Sequence, residues 1–262
     1  MKLKKILLGS ALLSSMLFAG GDIVPVEPMV QVPQEPIEET SKWEFNLAPF
    51  YMWAMGMNGH ATIGENVSAV DVDFDQIVDG LESMFIVHFE GMHESNFGFL
   101  TDINYVSLGG SQSLPANSTL DVDMDMTIVE LSGLYRMKNG NDVFDLIAGV
   151  RYVKIDMGLK INSITALSPE IDWVDPLIGA RWMRDINEEW SVLARGDIGG
   201  FGVSSDFTWQ ALGLVEWKPY EHTSFIAGYR VLDLDYEEGS GAKYFRYDVR
   251  SQGPLVGVNF RW

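Results

Sequence analysis

"VELSGLYRMKNGNDVFDLIAGVRY", residues 129–152, holds two runs with a residue period of two around the polar connection "KNGND" at Lys138. Val129, Leu131, Gly133 and Tyr135 fall on one face of the first run, and Phe144, Leu146, Ala148, Val150 and Tyr152 on one face of the second. Alternation of this kind is the signature of a β-strand. A soluble sandwich also alternates, so alternation by itself leaves open what each face meets. The opposite face decides: it carries Glu130, Asp145 and Arg151 among small or apolar residues. An apolar face turned to lipid and a charged face turned into a closed lumen account for both at once.

The same pattern extends in both directions. Ladders occur at Phe45, Leu47, Pro49, Tyr51 and Trp53; at Phe85, Val87 and Phe89; and at Phe97, Phe99, Thr101, Ile103 and Tyr105. Further ladders begin at Pro176, Val192, Phe207, Phe225 and Val256, giving ten in total. Intervening positions carry His88, Glu90, Asp102, Asn104, Asp175, Arg181, Arg195, Asp197, Glu216 and Arg230. Aromatic residues sit near ladder ends, as interfacial girdles do: Phe45 and Trp53, Phe97 and Tyr105, Trp209 and Trp217. Short polar connections at His93, Lys138, Asp185 and Lys218 alternate with others that include long ones, near 56–81, 109–119 and 160–170. Short inner turns and longer outer loops are the habit of membrane barrels. The expected fold is therefore all-β, a transmembrane antiparallel up-and-down β-barrel of ten strands. Twelve is the alternative, if Ala61 to Phe74 adds a hairpin within the wall.

The chain finishes in "LVGVNFRW", residues 255–262. A closed barrel in lipid must pair its last strand with its first, because each bare peptide group costs several kcal/mol there. Gly257, Phe260 and the terminal Trp262 are similar to the C-terminal signal read by the outer-membrane assembly machinery.

Residues 1–19 combine Lys2, Lys4 and Lys5 with a short apolar run and small residues at Ala19 to Gly21, the pattern of a secretory signal peptide. The run is shorter than the roughly 20 residues of a spanning helix. No cysteine follows it, which excludes lipidation there, and the chain has no cysteine at all, which excludes a disulfide framework. Removing those three lysines, with no acid among them, takes the formal charge from −19 to −22. Nucleic acid is excluded as a partner on that balance. Residues 20–42 are rich in proline and acid and lack an apolar period, so they read as an extended periplasmic linker before a barrel domain at 43–262.

The openings "WEFNLAPFYMWAMGMNG" (43–59) and "VDVDFDQIVDGL" (70–81) resemble those of a largely uncharacterised group of small proteobacterial outer-membrane β-barrel proteins. The resemblance implies fold and location in the outer membrane of a Gram-negative bacterium, with lipid and lipopolysaccharide as surroundings. It implies no catalytic residues.

For function, the lumen charges Glu90, Glu130, Asp145, Arg151, Asp175, Arg181, Arg195, Asp197, Glu216 and Arg230 are the candidate network. Buried charges need partners, so they form either a salt-bridged plug or the lining of a narrow, porin-like pore. Three acidic stretches (71–75, 121–125 and 233–238) suit an extracellular ligand surface or calcium or magnesium, which favour clustered carboxylates. Asp71, Asp73, Asp75, Asp79 and Glu82 have the spacing of a calcium loop, but Gln76 stands where that loop needs glycine. The segment 74–84 is expected to form one or two helical turns, with Ile77, Val78 and Leu81 closing over the barrel mouth. No cofactor is expected. Catalysis would need a pair such as His60 with Asp71 or Asp73, and His60 reads as a lone loop histidine, so the protein is expected not to be an enzyme.

Overall fold

The computed structural model describes residues 42–262 apart from 115–117 and 163; the signal and linker expectations lie outside these residues. Its strands are β1 (Trp43–Trp53), β2 (Gly56–Ile63), β3 (Asn66–Val72), β4 (Leu81–His93), β5 (Phe97–Leu114), β6 (Ser118–Asn139) and β7 (Asp142–Ile161). They continue as β8 (Ile164–Leu167), β9 (Glu170–Asp185), β10 (Trp190–Gly199), β11 (Phe207–Trp217), β12 (Thr223–Glu238) and β13 (Phe245–Arg261). One helix, α1 (Phe74–Gly80), stands between β3 and β4.

Ten antiparallel strands close the wall in the order β1, β4, β5, β6, β7, β9, β10, β11, β12, β13, and β13 pairs back onto β1. Reciprocal Phe45–Trp262 backbone hydrogen bonds of 2.9 and 3.2 Å zip the foot of the seam. The expected ten strands are thus present. The hairpin of the twelve-strand alternative also exists, as β2 and β3, but it lies above the ten-strand ring, where β2 pairs with Phe245–Gln252 of β13. The segments read as loops at 109–114 and 118–119 are instead strand, since β5 and β6 pair up to Leu114↔Ser118.

The seam carries a bulge. Pairing of β1 with β13 slips between Leu47 and Phe50, which shifts the side-chain parity by one. Tyr51 and Trp53, expected to face lipid, therefore turn inward, where Trp53 is buried, while Met52 faces out. Close passage of the chain past β13 requires Gly253, since a Cβ there would lie 2.0 Å from the Ala54 carbonyl oxygen.

Each long strand reverses its polarity part way along. On β6 the outward residues rising from the turn end are Tyr135, Gly133, Leu131 and Val129, then Thr127, then Asp125, Asp123 and Asp121. The inward residues run the other way: Glu130 is buried in the lower half, and Ile128 and Met126 in the upper half. The eight-residue step from Tyr135 to Thr127 spans about 27 Å along the strand. Once the strand tilts by 35–45°, it rises about 19–22 Å along the barrel axis, slightly less than the apolar band of roughly 25 Å typical of membrane barrels. Below the reversal the protein is lipid outside, and its inside carries the ionic residues beside a small apolar cluster of Met92, Leu100, Leu134, Ile147 and Leu177; above it, the protein is aqueous outside and apolar inside.

The upper interior is one cluster that includes Trp53, Met57, Ile77, Met126, Val153, Trp173, Leu234 and Tyr247. Strands β10 and β11 are short, and above them Trp173 of β9 stacks on Tyr236 of β12 with ring centres 4.1 Å apart. Over the mouth, α1 is capped by Asp73, whose carboxylate accepts from the Gln76 amide at 2.9 Å. Only part of the expected closure holds: Ile77 is buried in the cluster, whereas Val78 and Leu81 are exposed.

Candidate functional site

Beneath the apolar cluster, inward residues from six strands meet in a charged layer. Arg181 of β9 grips Glu90 of β4 through two nitrogens, at 2.5 and 2.9 Å, and donates to Asp145 of β7 at 2.5 and 3.0 Å. Arg136 of β6 donates to the same pair, at 2.8 and 2.9 Å to Asp145 and 3.3 Å to Glu90. Beside this node, Arg151 of β7 donates to Asp197 at 2.7 Å and to Glu130 at 3.2 Å. Arg195 of β10 completes the second node by donating to Glu130 and, at 2.9 and 3.1 Å, to Asp197. Asp102 joins the nodes: its carboxylate lies 3.1 Å from His88 Nδ1 and 3.7 Å from Arg195, while His88 Nε2 lies 3.7 Å from Glu90. Five carboxylates thus face four guanidiniums and one imidazole in a connected set.

The set is dry. Asp145 is 0% exposed, and Glu130 and Arg151 are 1% exposed. Charges so enclosed are tolerated because nearly every carboxylate is shared by two cations, which offsets the desolvation each group suffers on leaving water.

Three residues of the expected network stand apart from it. Asp175 is fully buried but, among the described residues, accepts only from neutral donors: the Trp173 indole at 2.9 Å, and the Ser205 amide and hydroxyl at 2.8 and 2.6 Å. Glu216 sits at the turn-end rim, where it accepts from Arg261 at 2.9 Å, Ser191 at 2.9 Å and Ser224 at 2.5 Å. Arg230 donates to Gln210 at 2.7 Å, Asn104 at 3.0 Å and Tyr51 at 3.3 Å, with its guanidinium 4.8 Å from the Trp53 ring centre. Among the described residues no carboxylate comes within 4.0 Å of it. Arg136 and Gln210 also belong to the layer, beyond the residues expected from sequence. Parity could have found Arg136, which lies six residues from Glu130 on the same face of β6.

Below the charged layer a cavity of about 360 Å³ opens at the turn end of the barrel. Its roof includes Glu90, Asp102, Arg181, Arg195 and Arg230; half-buried Leu193, Leu212, Leu214 and Ile226 form one flank; Lys138, Lys218 and Arg261 stand nearer the opening.

At the loop end, the outward face is acidic but well paired. Lys160 donates to Asp123 at 2.8 Å, Arg246 to Asp235 at 3.1 Å, Arg250 to Asp233 at 2.8 Å, and Ser111 to Asp121 at 2.7 Å. The Asp123 hydrogen bond raises the Lys160 ammonium above the ordinary lysine range, and Glu170 and Asp156 do the same for Lys154. The calcium-like spacing is spread over Asp71 on β3, Asp73 as helix cap, Asp75 and Asp79 on α1, and Glu82 on β4. Among the described residues no three of these acids, or of any His, Asp or Glu, gather as a metal site. His60 lies on strand β2, not in a loop, and its register neighbours are Ala69 and Asp248, not Asp71 or Asp73. Phe260 and Trp262 point outward at the foot of the seam, with the Trp262 ring 5.8 Å from Phe45, and Gly257 pairs with Tyr51 and Ile226.

No family model and no curated protein matches this sequence. Solved structures similar to it include the translocator domain of the autotransporter NalP from Neisseria meningitidis, at 12% identity and a TM-score of 0.48, covering 86% of this chain and 90% of that one. Another is the attachment invasion locus protein Ail of Yersinia pestis, at 10% identity and a TM-score of 0.36, covering 85% and 100%. A third is the toluene transporter TodX of Pseudomonas putida, at 9% identity and a TM-score of 0.26, covering 85% and 90%. These likenesses carry no activity to this chain. Its location follows from its own surface: a closed barrel with an apolar belt and aromatic girdles is built for a bilayer, and the chain is an outer-membrane β-barrel.

Proposed function

We propose that this chain is a non-enzymatic, non-conducting outer-membrane barrel that acts through what it presents at its two ends. The observation that carries this reading is the double closure of the lumen, an ionic layer crossed by buried arginine–carboxylate pairs and an apolar cluster stacked above it. An ion in transit would have to displace guanidiniums from carboxylates and then pass unhydrated through an apolar constriction, which gates by excluding water. With the short turns facing the periplasm, the cavity faces inward and the acidic wall faces the medium.

Planar-bilayer recording tests the proposal. The protein is expected to give no steady single-channel steps. Regular ohmic steps whose size changes on replacing Arg151 or Arg195 would overturn it in favour of a narrow pore.

A second reading is favoured by the position of Asp121, Asp123 and Asp125, outward on β6 directly above the apolar belt. They do not form a metal site by themselves, but each would share a calcium or magnesium ion with a lipopolysaccharide phosphate, or receive a surface ligand through the same ions. Millimolar magnesium should then raise the thermal midpoint in lipopolysaccharide-containing vesicles, and the triple change of these residues to Asn should remove the increase. An equal increase in the triple variant would refute that reading.

A further inference from the structure

The inward face of a barrel below its charged layer is expected to be polar, since it meets water. Here one flank of the turn-end cavity is Leu193, Leu212, Leu214 and Ile226, all inward on β10, β11 and β12 and only half-buried. Leu212 and Leu214 pack at one edge against the buried apolar cluster, yet all four side chains still present half-buried apolar surface to the cavity. Apolar surface of this kind gains most by contact with an apolar body.

The roof supplies a specific polar group. Its acids are engaged: Glu90 is gripped by Arg181 and Arg136, and Asp102 is flanked by His88 and Arg195. Arg230 differs. It is 3% exposed and lines the cavity, yet its hydrogen-bond partners Gln210, Asn104 and Tyr51 are all neutral. Its Nε and Nη1 are used by those partners, and among the described residues Nη2 donates to none, while that atom is not one of the orphaned polar atoms sealed from solvent. A buried guanidinium with neutral hydrogen-bond partners and a free nitrogen toward an accessible space is a ready anchor for a carboxylate. Near the opening, Lys218 and Arg261 are paired with Asp185 and Glu216, and Lys138 adds a further positive charge to the approach.

We propose that the periplasm-facing cavity binds an amphipathic monoanion, a medium-chain carboxylate whose head group meets Arg230 and whose aliphatic chain lies along Leu193, Leu212, Leu214 and Ile226. The volume of about 360 Å³ falls at the small end of the ligand-pocket range, which selects a single short chain over a two-chain phospholipid. This inference goes beyond the non-conducting reading, because a closed lumen needs no ligand at its inner end.

The test uses the full chain in phosphatidylcholine nanodiscs with carboxyl-labelled dodecanoate followed by carbon NMR. Binding is expected to be saturable and above that of protein-free discs. Arg230→Gln should weaken it roughly tenfold or more, the loss expected when one charge-assisted hydrogen bond disappears. Leu214→Trp, which fills the apolar flank without touching the charged layer, should abolish it while folded-form gel mobility is kept. Dodecyltrimethylammonium, with the same chain and the opposite charge, should not compete. No binding above protein-free discs, unchanged binding in Leu214→Trp, or equal competition by the cation would each overturn the proposal. Leu214→Trp and the competition decide the matter even if Arg230→Gln fails to fold. Conductance is read separately, so either proposal can fail alone.

Discussion

Replacing Arg195 by Met removes one cation from the buried ionic layer and keeps most of its volume. Arg195 makes three charge-assisted hydrogen bonds to Glu130 and Asp197 and lies 3.7 Å from Asp102. At about 1.5–3 kcal/mol per hydrogen bond to a charged group, the upper bound is some 4.5–9 kcal/mol. The carboxylates keep other partners, however: Arg151 still reaches Glu130 and Asp197, Gln210 still donates to Asp197 at 2.9 Å, and His88 still flanks Asp102. The expected loss therefore settles near 3–5 kcal/mol, the usual cost of leaving buried charge uncompensated. Adding Glu130→Gln to Arg195→Met should return a large part of it, because the orphaned charge goes too. Arg246→Met, on the outer wall with its side chain 39% exposed, provides the contrast and should cost about 0–1 kcal/mol. Urea-induced unfolding in phosphatidylcholine vesicles, read by tryptophan fluorescence, measures all three variants. If Arg195→Met is no more harmful than Arg246→Met, water reaches the layer, the charges are screened, and the argument for a closed lumen fails.

The reversal of polarity along β6 can be mapped by single cysteines, since the chain has none of its own. Asp123→Cys should react quickly with an impermeant maleimide, Met126→Cys should not, and a fluorophore at Leu131→Cys should be quenched by brominated lipid; equal reactivity at 123 and 126 would mean a wet upper lumen. The outer lysines predict a pH dependence. A raised folded-state pKa makes the stability contributed by Lys154 fully present below the unfolded lysine value of about 10.5, and that stability is lost only as pH rises through the higher folded value. The small difference in thermal midpoint between the protein and Lys154→Gln should thus hold constant from pH 6 to 9 and shrink only in strong alkali, and its disappearance already near neutrality would contradict the ion pairs with Glu170 and Asp156.

The sequence by itself determined that the chain forms a closed barrel in a membrane. The period of two assigns each residue to a face, and charged positions such as Glu130, Asp145, Arg151 and Arg195 opposite aromatic ladders leave few other solutions. That reasoning is local, and it holds wherever the strand runs on without a slip. It could not locate the reversal between Val129 and Asp125, because apolar residues alternate with acids in the same rhythm on both sides of the membrane boundary. Only the height of the strands relative to the belt tells which set is inside. Nor could it see the slip between Leu47 and Phe50: one extra residue moves Tyr51 and Trp53 from the lipid face to the lumen, and the pairing that produces it is made with β13, some two hundred residues away in sequence. Tertiary structure alone decided which cation meets which acid across the lumen, and so that Arg181 is paired with two acids while the hydrogen-bond partners of Arg230 are Gln210, Asn104 and Tyr51. Partners brought together by barrel closure are set by strand tilt and register, quantities that no single strand encodes.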